Sequence, residues 1–281
     1  MIKMLTHMVR SAAILGLFVI AAPLLVRAQS FQSLIQRAQR LNDVYDVERL
    51  HEIYGYQQDN LLFEDQADLF AKGPGVEANF QGALYEGNDG VRRLWTGHWG
   101  GVAHFAFMPI YGFMIDHRQA QLVVDISPDG KSAWLRARTS SDQVVQHRTA
   151  MKDPAGAGTD MNQSVIYENE YVKQDGIWKL KVWRLCIYGD APVGAGYADL
   201  PPVPGKSLMG NIRNGGAGWL DDVPEGDMSL FPGNQNGPDR VETSEQSGCF
   251  VAKDQTMIHS LLVPFHYPNP VTGKLVTWVN K

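Results

Sequence analysis

The chain has 281 residues, 44% hydrophobic and 20% charged, which excludes a disordered or fibrous protein and leaves about one globular domain plus a tail. A net charge of −5 with no block of like charges excludes the concentrated basic patch that nucleic-acid binding requires. Cys186 and Cys249 form no CxxC pair and cannot by themselves make a structural zinc site.

The first segment reads as an address. Lys3 and Arg10 make a positive start, residues 11–26 are almost wholly apolar, and Val26-Arg27-Ala28 offers modest or small residues before a cleavage point. The apolar run of 16 residues is shorter than the roughly 20 that span a bilayer. Residues 1–28 are therefore expected to be a signal peptide, an uncleaved anchor being the other reading. The remainder is expected to be periplasmic or secreted, without membrane contact after cleavage. Such a compartment permits a disulfide between Cys186 and Cys249; two buried thiols fit the sequence equally well.

From 31 to 70 the pattern is helical. Leu34, Ala38 and Leu41 share one stripe and Val47, Leu50, Ile53 and Tyr54 another, with Asn42-Asp43 as a break and N-cap between them. A third helix carries Phe63, Ala67 and Phe70, and Gly73-Pro74-Gly75 ends it. Residues 76–80 read as a strand, and Gly87-Asn88-Asp89-Gly90 opens a helix bearing Val91, Leu94 and Trp95. The period then changes to two. Strands at 122–126 and 133–138 flank the turn Ser127-Pro128-Asp129-Gly130, and strands at 164–173 and 178–188 flank Gln174-Asp175-Gly176. Helices followed by a strand meander make an α+β domain over 29–190. Between 191 and 240 there are 10 glycines and 7 prolines, so regular structure is not expected there. Trp219, Leu220, Leu230 and Phe231 persist in it, as they would in an irregular arm, 191–281, packed on the core, a disordered tail being the other reading.

Tyr54 and Asp59 stand near the end of the second helical stripe. A spacing of five turns them apart on an ideal helix, unless the helix ends or bends near Asn60-Leu61-Leu62. A phenol and a carboxylate facing an apolar hollow suit proton transfer, because desolvation raises the carboxyl pKa. The plainer readings are a core tyrosine and an aspartate capping the helix at Phe63. His117 enters the strand at 122–126; beside a carboxylate it would be an oriented general base. His98 and His104 compete for that role. No HExxH or other dense ligand spacing supports a metal, and GxGxxG, P-loop and GxSxG patterns are absent, so neither metal nor cofactor is expected.

Five fragments in order resemble the SnoaL-like branch of the nuclear transport factor 2-like superfamily. They are Ile53-Tyr54-Gly55-Tyr56 through Asp59, residues 63–70, residues 85–93, residues 127–133, and residues 167–173 with 175–179. The resemblance implies a cone-shaped barrel, in which a curved, mostly antiparallel sheet wrapped by N-terminal helices encloses one apolar pocket. It also implies the chemistry of cofactor-independent dehydratases, isomerases, a dehydrochlorinase and lyases of lignin-derived diaryl compounds. Tyr54 matches the oxyanion-hole tyrosine of ketosteroid isomerase, but the position of that enzyme's aspartate holds Ala78, so its mechanism is not expected here. The dehydratases and the dehydrochlorinase pair an acidic residue at the Asp59 position with a histidine matched by His117. The resemblance thus makes Tyr54, Asp59 and His117 the candidate catalytic set.

Strand alternation turns either Tyr167, Asn169 and Tyr171 or their neighbours inward. The first set is favoured, because SnoaL-like relatives often carry a polar residue at the Asn169 position. These three and Arg138 are the candidate substrate-binding residues, with Trp183 and His266 more distant candidates. The expected activity is that of a secreted lyase eliminating water or formaldehyde from a small hydroxylated, aromatic substrate. A non-catalytic small-molecule-binding protein of the same fold is the alternative. A homo-oligomer, paired through the open face of the sheet, is expected by the same resemblance.

Overall fold

The dipeptide Asp175-Gly176 shows how the sheet is built. Both residues take positive φ (55° and 79°), the pair that a two-residue hairpin needs to match the right-handed twist of its strands. Gln174 therefore pairs with Ile177, and two strands of 16 residues each run back from the turn. A computed structural model describes residues 2–80, 82–98, 113–145, 159–192, 237–242 and 265–275 of the protein.

The chain divides into two units, Met1–Tyr45 and Asp46–Lys281. Helix α1 spans Ile2–Asp59 without the break expected at Asn42-Asp43. Neither glycine nor proline stands there, and Asp43 accepts a bond from Gln39 one turn back (3.2 Å) rather than capping a new helix. Of the two apolar stripes only the second is part of the core: Val47 and Tyr54 are buried, whereas Leu34 and Leu41 are exposed.

Within the second unit follow α2 (Phe63–Asp68), β1 (Glu77–Phe80), β2 (Ala83–Glu86), α3 (Gly87–Arg92), a π-helical turn (Arg93–His98), β3 (Phe113–Ile126), β4 (Ser132–Val145), β5 (Thr159–Gln174), β6 (Ile177–Pro192) and β7 (Arg240–Val241). The sheet order is β3-β4-β5-β6-β1-β2-β7, antiparallel except for β1 on β6. It is curved but does not close into a barrel; β3 and β7 are its edges. Register shifts at Ala120/Val123 on β3, and at Ser164/Val165 and Glu170/Tyr171 on β5, supply the bends. β2 was not expected from the sequence, and β3 and β4 are longer than the apolar runs that announced them. Their added halves are polar, as an edge strand tolerates: Arg118 on β3 is ion-paired with Asp116 and, at 2.7 Å, with Asp142 on β4.

One face of the sheet holds the core. Ala133 and Ala137 on β4 lie opposite Tyr171 and Tyr167 on β5, so small residues make room for large ones. On the other face, Arg136 is ion-paired with Glu168. His266 covers that pair, its Nδ1 2.9 Å from the Glu168 carboxylate, and Phe265 lies 4.4 Å from the Arg136 guanidinium. Residues 237–242 add to the opposite edge, where the Asp239 carboxylate accepts the Glu86 backbone N–H at 2.7 Å. Most of residues 191–281 lie outside the described residues. Cys186 on β6 is buried and disulfide-bonded. The only other cysteine of the chain is Cys249, which lies outside the described residues. Among the described residues no helix is long and apolar enough to cross a membrane.

Candidate active site

The end of α1 decides where Asp59 points. Leu62 N–H bonds to the Gln57 carbonyl (2.9 Å) and Leu61 N–H to that of Gln58 (3.1 Å), the two bonds of a Schellman turn. Its left-handed residue is Leu61 (φ 58°), where glycine is usual. Burial of the Leu61 side chain offsets the strain. Asp59 is thereby the last helical residue. It does not cap α2, which starts after Leu62 with no side-chain cap.

The Asp59 carboxylate turns to β3. Its Oδ1 lies 2.9 Å from the His117 backbone nitrogen and 2.9 Å from His117 Nδ1. Because β3 is an edge strand, the His117 N–H has no strand partner on that side, and Asp59 satisfies it. A carboxylate only accepts, so Nδ1 carries the proton and Nε2 is the basic nitrogen. Both side chains are partly sheltered, 19% and 10% exposed, which strengthens their attraction without removing them from contact with a ligand. Close approach of helix and strand depends on Gly55: a Cβ there would stand 3.1 Å from the Gln119 side chain and 3.4 Å from the His117 carbonyl oxygen.

Asp59 and His117 line a cavity of about 350 Å³ together with Glu52, Tyr56, Asp116, Arg118 and Gln119. Tyr54 does not. Five residues before Asp59 on a regular helix, it faces the aromatic core. There it packs against Tyr167 (5.9 Å, 77°), Trp95 (6.3 Å, 86°) and Trp183 (5.9 Å, 54°). Burial, reinforced by Tyr167, holds the Tyr54 hydroxyl well above its ordinary pKa, so it stays protonated.

Between this cluster and the cavity lies His51, which sequence reasoning missed. It is buried, on the same helical face as Val47 and Tyr54, and that spacing was its only signal. Burial lowers its pKa from 6.5 to about 4, opposed by its hydrogen bond to Gln119, so it is neutral at physiological pH. Its Nε2 is 3.0 Å from Gln119 Oε1, and its Nδ1 is 3.3 Å from the Tyr171 hydroxyl and 3.5 Å from Asn169 Nδ2. Asn169 Nδ2 also donates to the Tyr171 oxygen (3.4 Å), and its Oδ1 accepts the Arg184 backbone N–H (3.0 Å).

The structure thus joins Asp59 to His117 and turns Tyr167, Asn169 and Tyr171 inward, where all three are buried. Asn169 and Tyr171 are joined to His51, whereas the Tyr167 hydroxyl has no well-aligned hydrogen-bond partner. Arg138 is not brought to the site. It shares the face of Arg136, opposite the buried Ala137 and Thr139, and is exposed. His266 packs on that outer face, and Trp183 is in the core. His104 lies outside the described residues, as does the side chain of His98. Among the described residues no three His, Cys, Asp or Glu side chains converge as metal ligands. The arrangement is an oriented imidazole base beside a cavity, above a buried polar chain.

A sequence profile described as a SnoaL-like domain matches residues 39–184. No curated protein matches the chain by sequence. Solved structures that it resembles include a candidate scytalone dehydratase from Novosphingobium aromaticivorans, 19% identical over 57% of this chain and 98% of that one, with a TM-score of 0.42. A type 2 hexachlorocyclohexane dehydrochlorinase is 16% identical over 59% and 97%, with a TM-score of 0.42. An NTF2-like protein with a cystatin-like fold, from N. aromaticivorans, is 15% identical over 59% and 92%, with a TM-score of 0.40.

Proposed function

Because the chain belongs to the SnoaL-like domain family, we propose that it is a cofactor-independent lyase acting on a small hydroxylated, aromatic molecule. The observation that carries this reading is the Asp59–His117 pair at the cavity, with Nδ1 held by the carboxylate and Nε2 left as the base. In a dehydration, Nε2 takes a proton from carbon, the electron pair forms the C=C bond, and the hydroxyl leaves as water after gaining a proton. In a formaldehyde elimination, Nε2 takes the hydroxymethyl O–H proton and the C–C bond breaks to release formaldehyde. The electron pair then forms the new C=C bond as a neighbouring hydroxyl departs, protonated, as water. In both, Asp59 stabilises the imidazolium that forms. Tyr54, away from the cavity lining, supports the site from beneath.

The test is incubation of the purified, chelator-treated protein with hydroxylated mono- and diaryl compounds, followed by mass spectrometry. Loss of water or formaldehyde from one of them, abolished by His117→Ala, is the expected result. A compound retained unchanged on the protein would replace the lyase by a binding protein. The disulfide at Cys186 supports an oxidising compartment, as proposed for a chain led by a signal peptide.

A further inference from the structure

The hydrogen bonds beneath the Asp59–His117 pair have a direction, and it ends at Gln119. The Arg184 backbone N–H can only donate, so the atom of Asn169 it meets is Oδ1, and the Asn169 amide nitrogen faces Tyr171 and His51. The Tyr171 oxygen receives that N–H and turns its own proton to His51 Nδ1. Buried and neutral, His51 then carries its single proton on Nε2 and gives it to Gln119 Oε1 at 3.0 Å. The Gln119 amide is thereby fixed with its NH2 group turned the other way. That nitrogen is buried, and no well-aligned acceptor meets it. The nearby Tyr167 hydroxyl would use at most one of its two hydrogens. An unmade buried donor costs about 1–3 kcal/mol, so its retention calls for an acceptor that arrives. Gln119 lines the cavity, on the same face of β3 as His117 two residues before it. The missing side chain at Gly55 makes the room its amide occupies.

We propose that Gln119 is the oxygen-binding donor of this site: its Nε2 amide hydrogen-bonds a carbonyl or alkoxide oxygen of the ligand beside His117, and His51 is the positioning residue that keeps the amide so turned. The proposal deepens the lyase reading and rests on it for the reaction, though not for the binding preference. Ligands with an acceptor oxygen, uncharged in the ground state, are the class it selects.

The test compares 4-hydroxyacetophenone with 4-ethylphenol, which differ by a carbonyl in place of a methylene. The full-length protein should bind the ketone roughly five- to tenfold more tightly, the net effect of one neutral hydrogen bond. Gln119→Glu keeps an oxygen for His51 Nε2–H but removes the donor, and should abolish the preference. A second readout needs no folded variant: in the wild-type protein the ¹⁵N–¹H resonances of the Gln119 side-chain amide should move with the ketone and not with 4-ethylphenol. Equal affinities, binding of neither probe, a preference surviving in Gln119→Glu, or an unmoved amide would each overturn the proposal. Asp59→Asn should lose turnover yet keep the ketone preference. Absence of turnover in every form, with the preference intact, would refute the lyase reading and leave Gln119 standing.

Discussion

Acid should weaken this fold through one residue, His51. Its imidazole titrates near 6.5 in the unfolded chain and is held to about 4 in the fold by burial. Above pH 6.5 it is neutral in both states and the full stability is present. Below that, the unfolded chain binds a proton that the fold refuses, so stability falls as pH falls, by about 1.4 kcal/mol per pH unit, until the fold also takes the proton near pH 4. The loss over that window is about 3 kcal/mol, a large share of the roughly 5–15 kcal/mol that holds a typical domain together. The assay is chemical denaturation at steps between about pH 7 and pH 4 for the wild type and for His51→Gln. The variant should be less stable near neutrality, by roughly 1–2 kcal/mol, because its partners Gln119 and Tyr171 lose their hydrogen bonds. Because only the wild type loses about 3 kcal/mol as the pH falls, the gap should close and then reverse, leaving the variant the more stable of the two near pH 4. A gap that stays constant, or a His51 ring resonance titrating near 6.5, would refute both the burial argument and the neutral histidine on which the orientation of Gln119 depends.

Asp59→Asn and His117→Ala should each lower turnover by roughly 10²–10⁴-fold while the thermal midpoint moves by only a few degrees; unchanged kcat/KM in both would remove the pair from the chemistry. Gly55→Ala should sacrifice activity rather than stability. Alanine gains about 1 kcal/mol of helix propensity, but its Cβ presses on Gln119 and on the His117 carbonyl, so a fully active variant would contradict the close approach of α1 and β3. Tyr167→Phe should cost less than about 1 kcal/mol in a urea titration, since the hydroxyl it deletes has no well-aligned partner. Arg136→Met should cost roughly 2–3 kcal/mol by the same measurement, because it leaves the sheltered Glu168 carboxylate with His266 alone; no change would mean that solvent already reaches Glu168.

Local chemistry was legible in the chain itself. The Asp175-Gly176 hairpin and the turn at 127–130 follow from steric rules that act within a few residues, whereas alternation left two faces open for Tyr167, Asn169 and Tyr171 and the family resemblance chose between them. Arg138 was misplaced because a charged residue announces no face of its own; its neighbours Ala137 and Thr139 are the buried ones. β2 and the polar halves of β3 and β4 were missed because their pairing partners, not their composition, make them strands.

The sequence by itself determined an α+β domain, since periodicity and turn residues need no knowledge of the rest of the chain, and the family resemblance, not periodicity, singled out Tyr54, Asp59 and His117. Only the tertiary structure decided that Asp59 meets His117 while Tyr54 turns into the core, and that His51 and Gln119 join them. Those contacts cross 58 and 68 residues of chain. They exist because an edge strand leaves a backbone N–H for Asp59, and because a glycine lets helix and strand close to hydrogen-bonding distance.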